Sequence, residues 1–415
     1  MHKPPEPHYS FTIPSVHDDT TLDCRLYHPD VLSKAHTGND DGGEPWSTRG
    51  IAIAHPYAPM GGSQDDRIVG IIVEEFLSKG YIVGTFNFRG AHGSRGRTSW
   101  SGKPELDDYT SFAAFFIHYL AFLRPSPSPD TLFTPSSPTS PTSAPSSSPS
   151  PSTPQPTLIL SGYSYGSLIL KHLPALPTLL HPFLTPLPGT SPSEILLRAH
   201  KLASQTNLDI INRARFHSHH QKHSVTTTLG GEETTPDLRR SSRETRRSLD
   251  VSGSLTRDFK GRMRSLSHRR RSGKAGSTSH PQTPPSPEDS GAIAQQAGIC
   301  MPAVRYLLVS PLAPHVSAFV APGLVSGMFF WGSKHAGGQQ VEVVGKCVLL
   351  VVNGGQDSFG SGRRVREWVE KLGDKGRVEH VEVKEAGHFW VEQGVEGRLR
   401  GVLGEWAGRV GAGGG

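Results

Sequence analysis

The chain has 415 residues, of which only 34% are hydrophobic, and its 35 prolines are concentrated in a few stretches. The apolar blocks therefore suffice for one core of about 250–270 residues rather than for several domains. Its three scattered cysteines exclude a disulfide framework and lack the spacing of metal ligands, so no metal or other cofactor is expected.

The net charge of +6 belongs to one segment. Residues 201–290 hold 17 Lys and Arg against 9 Asp and Glu, a net of +8, so the remainder of the chain carries −2. This segment has few aromatic residues to stack on bases, so no nucleic-acid partner is expected. Arg269-Arg270-Arg271 precede Ser272 in the order that basophilic kinases prefer, which makes a kinase a candidate partner. A plain solvated loop is the alternative.

The sequence MHKPPEPHYSF at the start has no apolar region typical of a secretory signal, and no apolar stretch is long enough to span a bilayer. Residues 317–331 come closest, but Pro322 and two glycines interrupt them. The sequence thus predicts a cytoplasmic protein with no membrane span. Nuclear import through the basic clusters is the alternative.

Hydrophobic patterning predicts alternating strands and helices in residues 1–124. Strands are expected at 9–16, 20–28, 50–55 and 81–88, and helices at 66–79 and 106–123. This alternation favours the α/β class, with a mostly parallel sheet and helices on both faces.

Two low-complexity insertions interrupt the core. Residues 125–156 contain 27 Pro, Ser or Thr in 32 positions, which leaves too little apolar surface to offset chain entropy and predicts disorder. A strand and a helix follow at 157–185. Residues 186–298 form a basic, Ser/Arg-rich and largely disordered insertion with a weak helix at 192–204. The core returns at 299–410, with strands at 304–310, 346–353 and 377–384 and helices at 361–372 and 393–409.

Gly162-Tyr163-Ser164-Tyr165-Gly166 has the G-x-S-x-G spacing of a nucleophile elbow. An apolar strand precedes it and a helix follows, as that motif requires. Ser164 is therefore the candidate nucleophile, and an ordinary serine in a β–α turn is the alternative.

The candidate acid and base follow in the order that such a fold uses. Asp357 comes after the strand at 346–353 and His388 after the strand at 377–384, so both are expected at the same sheet edge as Ser164. The alternatives are a helix cap for Asp357 and an exposed loop position for His388.

Acyl transfer also requires hydrogen-bond donors for an oxyanion. The backbone N–H of Tyr165 directly follows the nucleophile. Tyr57 provides the first N–H after His55, because Pro56 has none, and Ala58 is the alternative.

The candidate residues of a substrate pocket are His55, Gly61, Gly62, Phe330 and Trp331. The glycines allow the loop at 55–63 to approach a substrate, although a plain turn explains them equally well. The aromatic run at 328–331 predicts a pocket wall, a core segment or a lid.

Arg89 and the acidic residues at 105–108 have two interpretations. A buried ion pair between Arg89 and one of the carboxylates would hold the loop beside the site. A surface arginine and an acidic helix N-terminus are the alternative.

Six motifs in order resemble those of one family: HPYAPMGGSQDD, FNFRGAHGSRG, ELDD, GYSYGS, GGQDSF and AGHFW. They are similar to a predicted α/β-hydrolase family of small bacterial esterase-like proteins, in which a His-Pro…Gly-Gly loop, an Asn-Phe-Arg-Gly strand end and a Gly-Phe-Ser-Phe-Gly elbow recur. The resemblance implies the α/β-hydrolase fold and a triad of Ser164, Asp357 and His388. Tyr57-Ala58 stands where that family tends to have His-Pro.

Together these features predict a serine hydrolase, similar to a carboxylesterase, that acts on a small-molecule acyl substrate through an acyl-enzyme. Two alternatives stay open. One is a thioesterase or peptidase with the same triad, and the other is a non-catalytic scaffold that presents the insertions to partners.

Overall fold

A computed structural model of the protein describes residues 5–34, 47–124, 155–222, 300–324, 347–372 and 377–411. Most of the two predicted insertions, at 125–154 and 223–298, lies outside these ranges, and so do Phe330 and Trp331.

The strands of the described residues form one sheet. Their bounds are β1 Tyr9–Pro14, β2 Thr21–Tyr27, β3 Arg49–Ala54, β4 Ile82–Phe86, β5 Thr157–Tyr163, β6 Ala303–Val309, β7 Val348–Gly354 and β8 Val378–Val383. The order across the sheet is β1-β2-β4-β3-β5-β6-β7-β8. β2 runs antiparallel to β1 and β4, whereas all pairs from β4 to β8 are parallel.

Helices cover both faces of the sheet. Those described are α1 Asp30–Lys34, α2 Arg67–Ser78, α3 Lys103–Phe122, α4 Tyr165–Lys171, α5 Leu176–Leu180, α6 Ser191–Lys222, α7 Pro314–Val320, α8 Gly362–Leu372 and α9 Val395–Gly411. No helix in these ranges has an apolar stretch long enough to cross a bilayer.

Two apolar cores follow from the alternation of side chains along the strands. In β3, Ala52 and Ala54 belong to the core that contains α3, α4 and α6, and Ile51 and Ile53 belong to the core with α2 and α9. Each face of the sheet is thereby covered, as buried parallel strands require. This architecture is the α/β-hydrolase fold, and the predicted fold class is confirmed.

Helix α6 is longer than the predicted segment 192–204 and extends the ordered core well into the second predicted insertion. Its buried positions include Ile195, Ala199 and Ala203, which recur every four residues on one face. The helix packs on α3, where the Tyr119 hydroxyl lies 2.9 Å from Thr206 Oγ1.

Candidate active site

Ser164 lies at the sharp turn between β5 and α4. Its backbone has φ 55° and ψ −111°, a conformation that is costly for a residue with a side chain. The backbone N–H of Ser164 donates to the carbonyl of Val309 at 2.9 Å, which holds the turn against β6. The strained turn is therefore supported by the neighbouring strand.

The two glycines of the motif are required by close contacts. A Cβ added to Gly162 would lie 2.3 Å from the carbonyl carbon of Gly166. A Cβ on Gly166 would lie 2.4 Å from the carbonyl oxygen of Ala54 in β3. Both distances are far below van der Waals contact, so the G-x-S-x-G spacing reflects the packing of the turn between a strand and a helix.

Ser164, His388 and Asp357 form a continuous series of hydrogen bonds. Ser164 Oγ lies 2.8 Å from His388 Nε2, and His388 Nδ1 lies 2.9 Å from Asp357 Oδ2. A carboxylate only accepts, so Nδ1 carries the hydrogen and Nε2 is left to accept the proton of Ser164. The imidazole thus presents a hydrogen-bond acceptor to the hydroxyl of Ser164.

Backbone amides hold the Asp357 carboxylate in place. Its Oδ1 accepts hydrogen bonds from the N–H of Phe359 at 2.8 Å and from the N–H of Gly360 at 2.7 Å. These donors lie in the turn that precedes α8, and His388 Nδ1 contacts both carboxylate oxygens, Oδ2 at 2.9 Å and Oδ1 at 3.0 Å. The Asp357 carboxylate therefore contacts both the backbone of this turn and the imidazole of His388.

The His388 ring is enclosed and its loop is fixed. The ring centroid lies 4.8 Å from that of Phe359, and the imidazole is almost completely buried. The Tyr163 hydroxyl donates to the His388 carbonyl at 3.0 Å. Trp390 Nε1 donates to Ser310 Oγ at 2.9 Å, which ties the loop after His388 to the end of β6.

A cavity of about 190 Å³ adjoins Ser164 and His388. Its other lining residues are Pro56, Tyr57, Met60, Gly61, Gly62, Asp66, Tyr163, Leu312, Val316, Val320, Phe359 and Phe389. Most of this surface is apolar. Asp66 caps α2 by accepting from the Ile68 N–H at 2.8 Å, and burial raises the pKa of its carboxyl.

The predicted oxyanion donors are the backbone N–H groups of Tyr57 and Tyr165. Tyr165 is the first residue of α4, and Tyr57 directly precedes the short helical turn Ala58–Met60, so each amide is at the start of a helical turn. Their rings are 5.0 Å apart. The N–H groups at the start of a helical turn have no acceptor within that turn.

Gly61 and Gly62 line the cavity, but His55 does not. His55 Nδ1 donates to the Pro56 carbonyl at 2.6 Å, and Nε2 accepts from the Phe88 N–H at 2.9 Å. Burial lowers the pKa of His55 to about 4, which keeps the ring neutral. The prediction that His55 belongs to the substrate pocket is therefore corrected. Its side chain instead joins the loop after β3 to the end of β4.

Arg89 forms a buried ion pair beside this loop. Its Nη2 lies 2.7 Å from Asp108 Oδ1, and both side chains are almost inaccessible to solvent. Nη1 also pairs with Asp18 at 3.0 Å. Of the two interpretations of Arg89, the structure has the buried pair.

Sequence reasoning missed several residues of the cavity, notably Leu312, Val316 and Phe359. The sequence does contain an indication for one of them, Leu312. Leu312 follows β6, and loops at the carboxyl ends of parallel strands gather around the site in this fold. Its apolar side chain resembles any core residue, so only its position identifies it. No cluster of metal-binding side chains was found among the described residues.

No protein-family model and no curated protein matches this sequence. Among solved structures, the chain is similar to an α/β serine hydrolase homologue from Coxiella burnetii at 14% identity and a TM-score of 0.41, covering 97% of this chain and 98% of that chain. It is similar to an α/β serine hydrolase without a lid from Xanthomonas campestris at 13% identity and a TM-score of 0.41, covering 99% and 96%. Est1E from Butyrivibrio proteoclasticus, with ferulic acid bound, has 9% identity and a TM-score of 0.43, covering 95% and 97%.

Proposed function

We propose that this protein is a serine hydrolase that cleaves ester bonds of small, uncharged acyl substrates through an acyl-enzyme. The observation that carries the proposal is the hydrogen-bond series from Ser164 through His388 to Asp357. All three side chains are buried, and Ser164 and His388 border a cavity. A scaffold has no need of such an arrangement.

In the first half-reaction, His388 Nε2 accepts the hydroxyl proton as Ser164 Oγ attacks the carbonyl carbon of the ester. The amides of Tyr57 and Tyr165 donate to the oxygen that becomes negative. Asp357 stabilises the imidazolium and keeps its orientation. The tetrahedral intermediate then expels the alcohol, which takes the proton from Nε2 and leaves an ester on Ser164.

In the second half-reaction, water replaces the alcohol. His388 takes a proton from this water as its oxygen attacks the acyl carbon, and the same amides hold the oxyanion. The intermediate collapses by breaking the bond to Ser164 Oγ, which recovers its proton from His388. The products are one carboxylic acid and one alcohol for each ester and water consumed.

The cavity supports a short and uncharged acyl group. Its volume of about 190 Å³ is below the range usual for drug-sized ligands. Among the described lining residues no Lys or Arg is present, and Asp66 contributes the one carboxyl group. A negatively charged acyl group would meet that carboxyl without a compensating cation, which disfavours it.

Labelling with a fluorophosphonate probe tests the proposal directly. The wild type is compared with Ser164→Ala and with Ser78→Ala, a matched control at an exposed serine on α2. We expect the wild type and the control to be labelled and Ser164→Ala to be unlabelled. Absence of labelling in folded wild-type protein, or labelling that persists in Ser164→Ala, would contradict the proposal and favour the scaffold.

A substrate panel then separates ester, thioester and amide hydrolysis, since all three use the same triad. The panel holds p-nitrophenyl esters of increasing acyl length, acetyl-CoA and an aminoacyl p-nitroanilide. We expect the highest kcat/KM for p-nitrophenyl acetate or butyrate, with a fall for longer chains. A preference for the thioester or the anilide would reassign the bond that is cleaved.

A further inference from the structure

A second cavity, of about 360 Å³, lies next to the first, and Leu312 lines both. It is bounded by α4, the segment at 311–317 and α8. Its apolar lining residues are Leu168, Pro311, Leu312, Ala313, Pro314, Val365 and Trp368. A volume of this size is at the lower end of the range for small-molecule sites.

The charged side chains around this cavity are mainly cationic. Lys171, Arg364 and Lys371 line it, and Glu367 is the single acidic residue among the described lining residues. Glu367 is paired with Arg363, whose Nε donates to its Oε1 at 2.8 Å. The lining therefore carries an excess of positive charge at neutral pH, which favours an anion.

Lys171 is the partly buried cation of this set, whereas Arg364 and Lys371 are exposed. Its Nζ lies 5.4 Å from the centroid of the Trp368 ring, within the range of a cation–π contact. Across the described ranges, no carboxylate lies within ion-pair distance of Lys171. Burial lowers the pKa of Lys171 to about 8, which reflects the cost of removing this ammonium from water without a negative partner.

We propose that this cavity binds a small molecule that combines an apolar body with a single carboxylate. The carboxylate pairs with Lys171, and the apolar body packs against Leu168, Val365 and Trp368. Lys171 is partly buried and matches one negative charge, whereas Arg364 and Lys371 are exposed and stay hydrated. A phosphate dianion would bring a second charge into a largely apolar cavity, where its desolvation is unfavourable.

This site is separate from the proposed chemistry at Ser164. Lys171 and Trp368 line the second cavity and not the first. Binding there requires neither the nucleophile nor the base, so the inference stands whether or not the chain hydrolyses esters.

Isothermal titration with octanoate tests the inference, with octylammonium as the cationic analogue of the same length. Three proteins are compared: the wild type, Lys171→Met, and Lys201→Met, which removes an exposed lysine on α6. Octanoate is expected to bind the wild type and Lys201→Met equally. Its affinity for Lys171→Met should fall roughly tenfold or more, as expected for a lost hydrogen bond to a charged group. Octylammonium should bind none of the three.

Three outcomes would overturn the inference. These are no octanoate binding to the wild type at millimolar concentration, equal affinity in Lys171→Met, or equal binding of octylammonium. The second outcome would place octanoate elsewhere, for example beside Ser164.

A measurement on unmodified protein guards against misfolding of Lys171→Met. Trace acetylation with acetic anhydride, read by mass spectrometry, is expected to slow at Lys171 when octanoate is present and to stay unchanged at Lys201. Equal acetylation of Lys171 with and without octanoate would contradict the site.

Discussion

Asp357→Asn replaces one carboxylate oxygen by an amide nitrogen in the hydrogen-bond series. The backbone N–H groups of Phe359 and Gly360 both donate to Oδ1, so the one oxygen that the amide side chain keeps would stay there. The new NH₂ group would then occupy the position of Oδ2, 2.9 Å from His388 Nδ1. Two donors cannot share that contact. Oδ1 also lies 3.0 Å from Nδ1, but it already accepts from two backbone N–H groups, so we expect Nδ1 to become the acceptor and the imidazole hydrogen to move to Nε2.

With its hydrogen on Nε2, His388 donates to Ser164 and no longer accepts the hydroxyl proton. The equivalent change in a serine protease triad lowers kcat roughly 10⁴-fold, which corresponds to about 5 kcal/mol of transition-state stabilisation. The two backbone hydrogen bonds to the side chain are kept. The free energy of unfolding should therefore change by less than about 1 kcal/mol.

The assay is hydrolysis of p-nitrophenyl acetate together with the second-order rate of fluorophosphonate labelling. Asp65→Asn is the control, because Asp65 makes an exposed ion pair with Arg25 and stands outside the series. Activity of Asp357→Asn within tenfold of the wild type, at unchanged stability, would refute the assigned role of Asp357.

Three further substitutions test other parts of the structure. In Gly166→Ala, the new Cβ would lie 2.4 Å from the Ala54 oxygen, so we expect loss of fluorophosphonate labelling and about 1–3 kcal/mol of destabilisation in urea, and normal labelling would contradict the packing. Asp108→Ala leaves buried Arg89 without its closest partner, so the free energy of unfolding should fall by about 3–5 kcal/mol, whereas an unchanged urea midpoint would count against the pair. The pKa of Lys171 is lowered from 10.5 to about 8, so between these values the unfolded chain binds the proton and the folded chain does not. Stability should therefore rise with pH across that window by about 2 kcal/mol in the wild type relative to Lys171→Met, and parallel pH profiles would contradict the shift.

The nucleophile turn was predictable because its signals are local. The strand β5, the turn at Ser164 and the helix α4 follow one another without interruption, and the glycine spacing reports contacts within that unit. The strand bounds also agree with the predicted ones to within a few residues, since strands such as β3, β4 and β7 are compact apolar runs, and β1, β2 and β8, at or next to the edges of the sheet, mix polar and apolar residues.

The side-chain role of His55 was not predictable, because it depends on contacts far along the chain. Its second hydrogen bond is to the backbone of Phe88, at the end of the adjacent strand β4. The length of α6 could not be predicted from the sequence for a related reason. Its sequence is mostly polar beyond the short apolar face of Ile195, Ala199 and Ala203, and tertiary contacts such as that of Thr206 with Tyr119 stabilise it.

Both long insertions end at the edge of the sheet opposite Ser164. We therefore expect that removing either insertion leaves the candidate active site unchanged. The first, residues 125–156, ends just before the start of β5, and Ser164 follows the other end of that strand. At about 3.3 Å per residue, the strand separates the two by roughly 20 Å. The second insertion likewise ends just before the start of β6, at the same edge of the sheet.

Replacing residues 127–153 by a flexible Gly/Ser linker should therefore leave the thermal midpoint and the rate of Ser164 labelling within about twofold of the wild type. A matched variant with residues 225–297 replaced should behave alike. Labelling that becomes much faster in either variant would show that the segment reaches across the sheet and obstructs the nucleophile. In that case, the sheet edge at which an insertion joins the fold would not indicate whether the insertion affects Ser164.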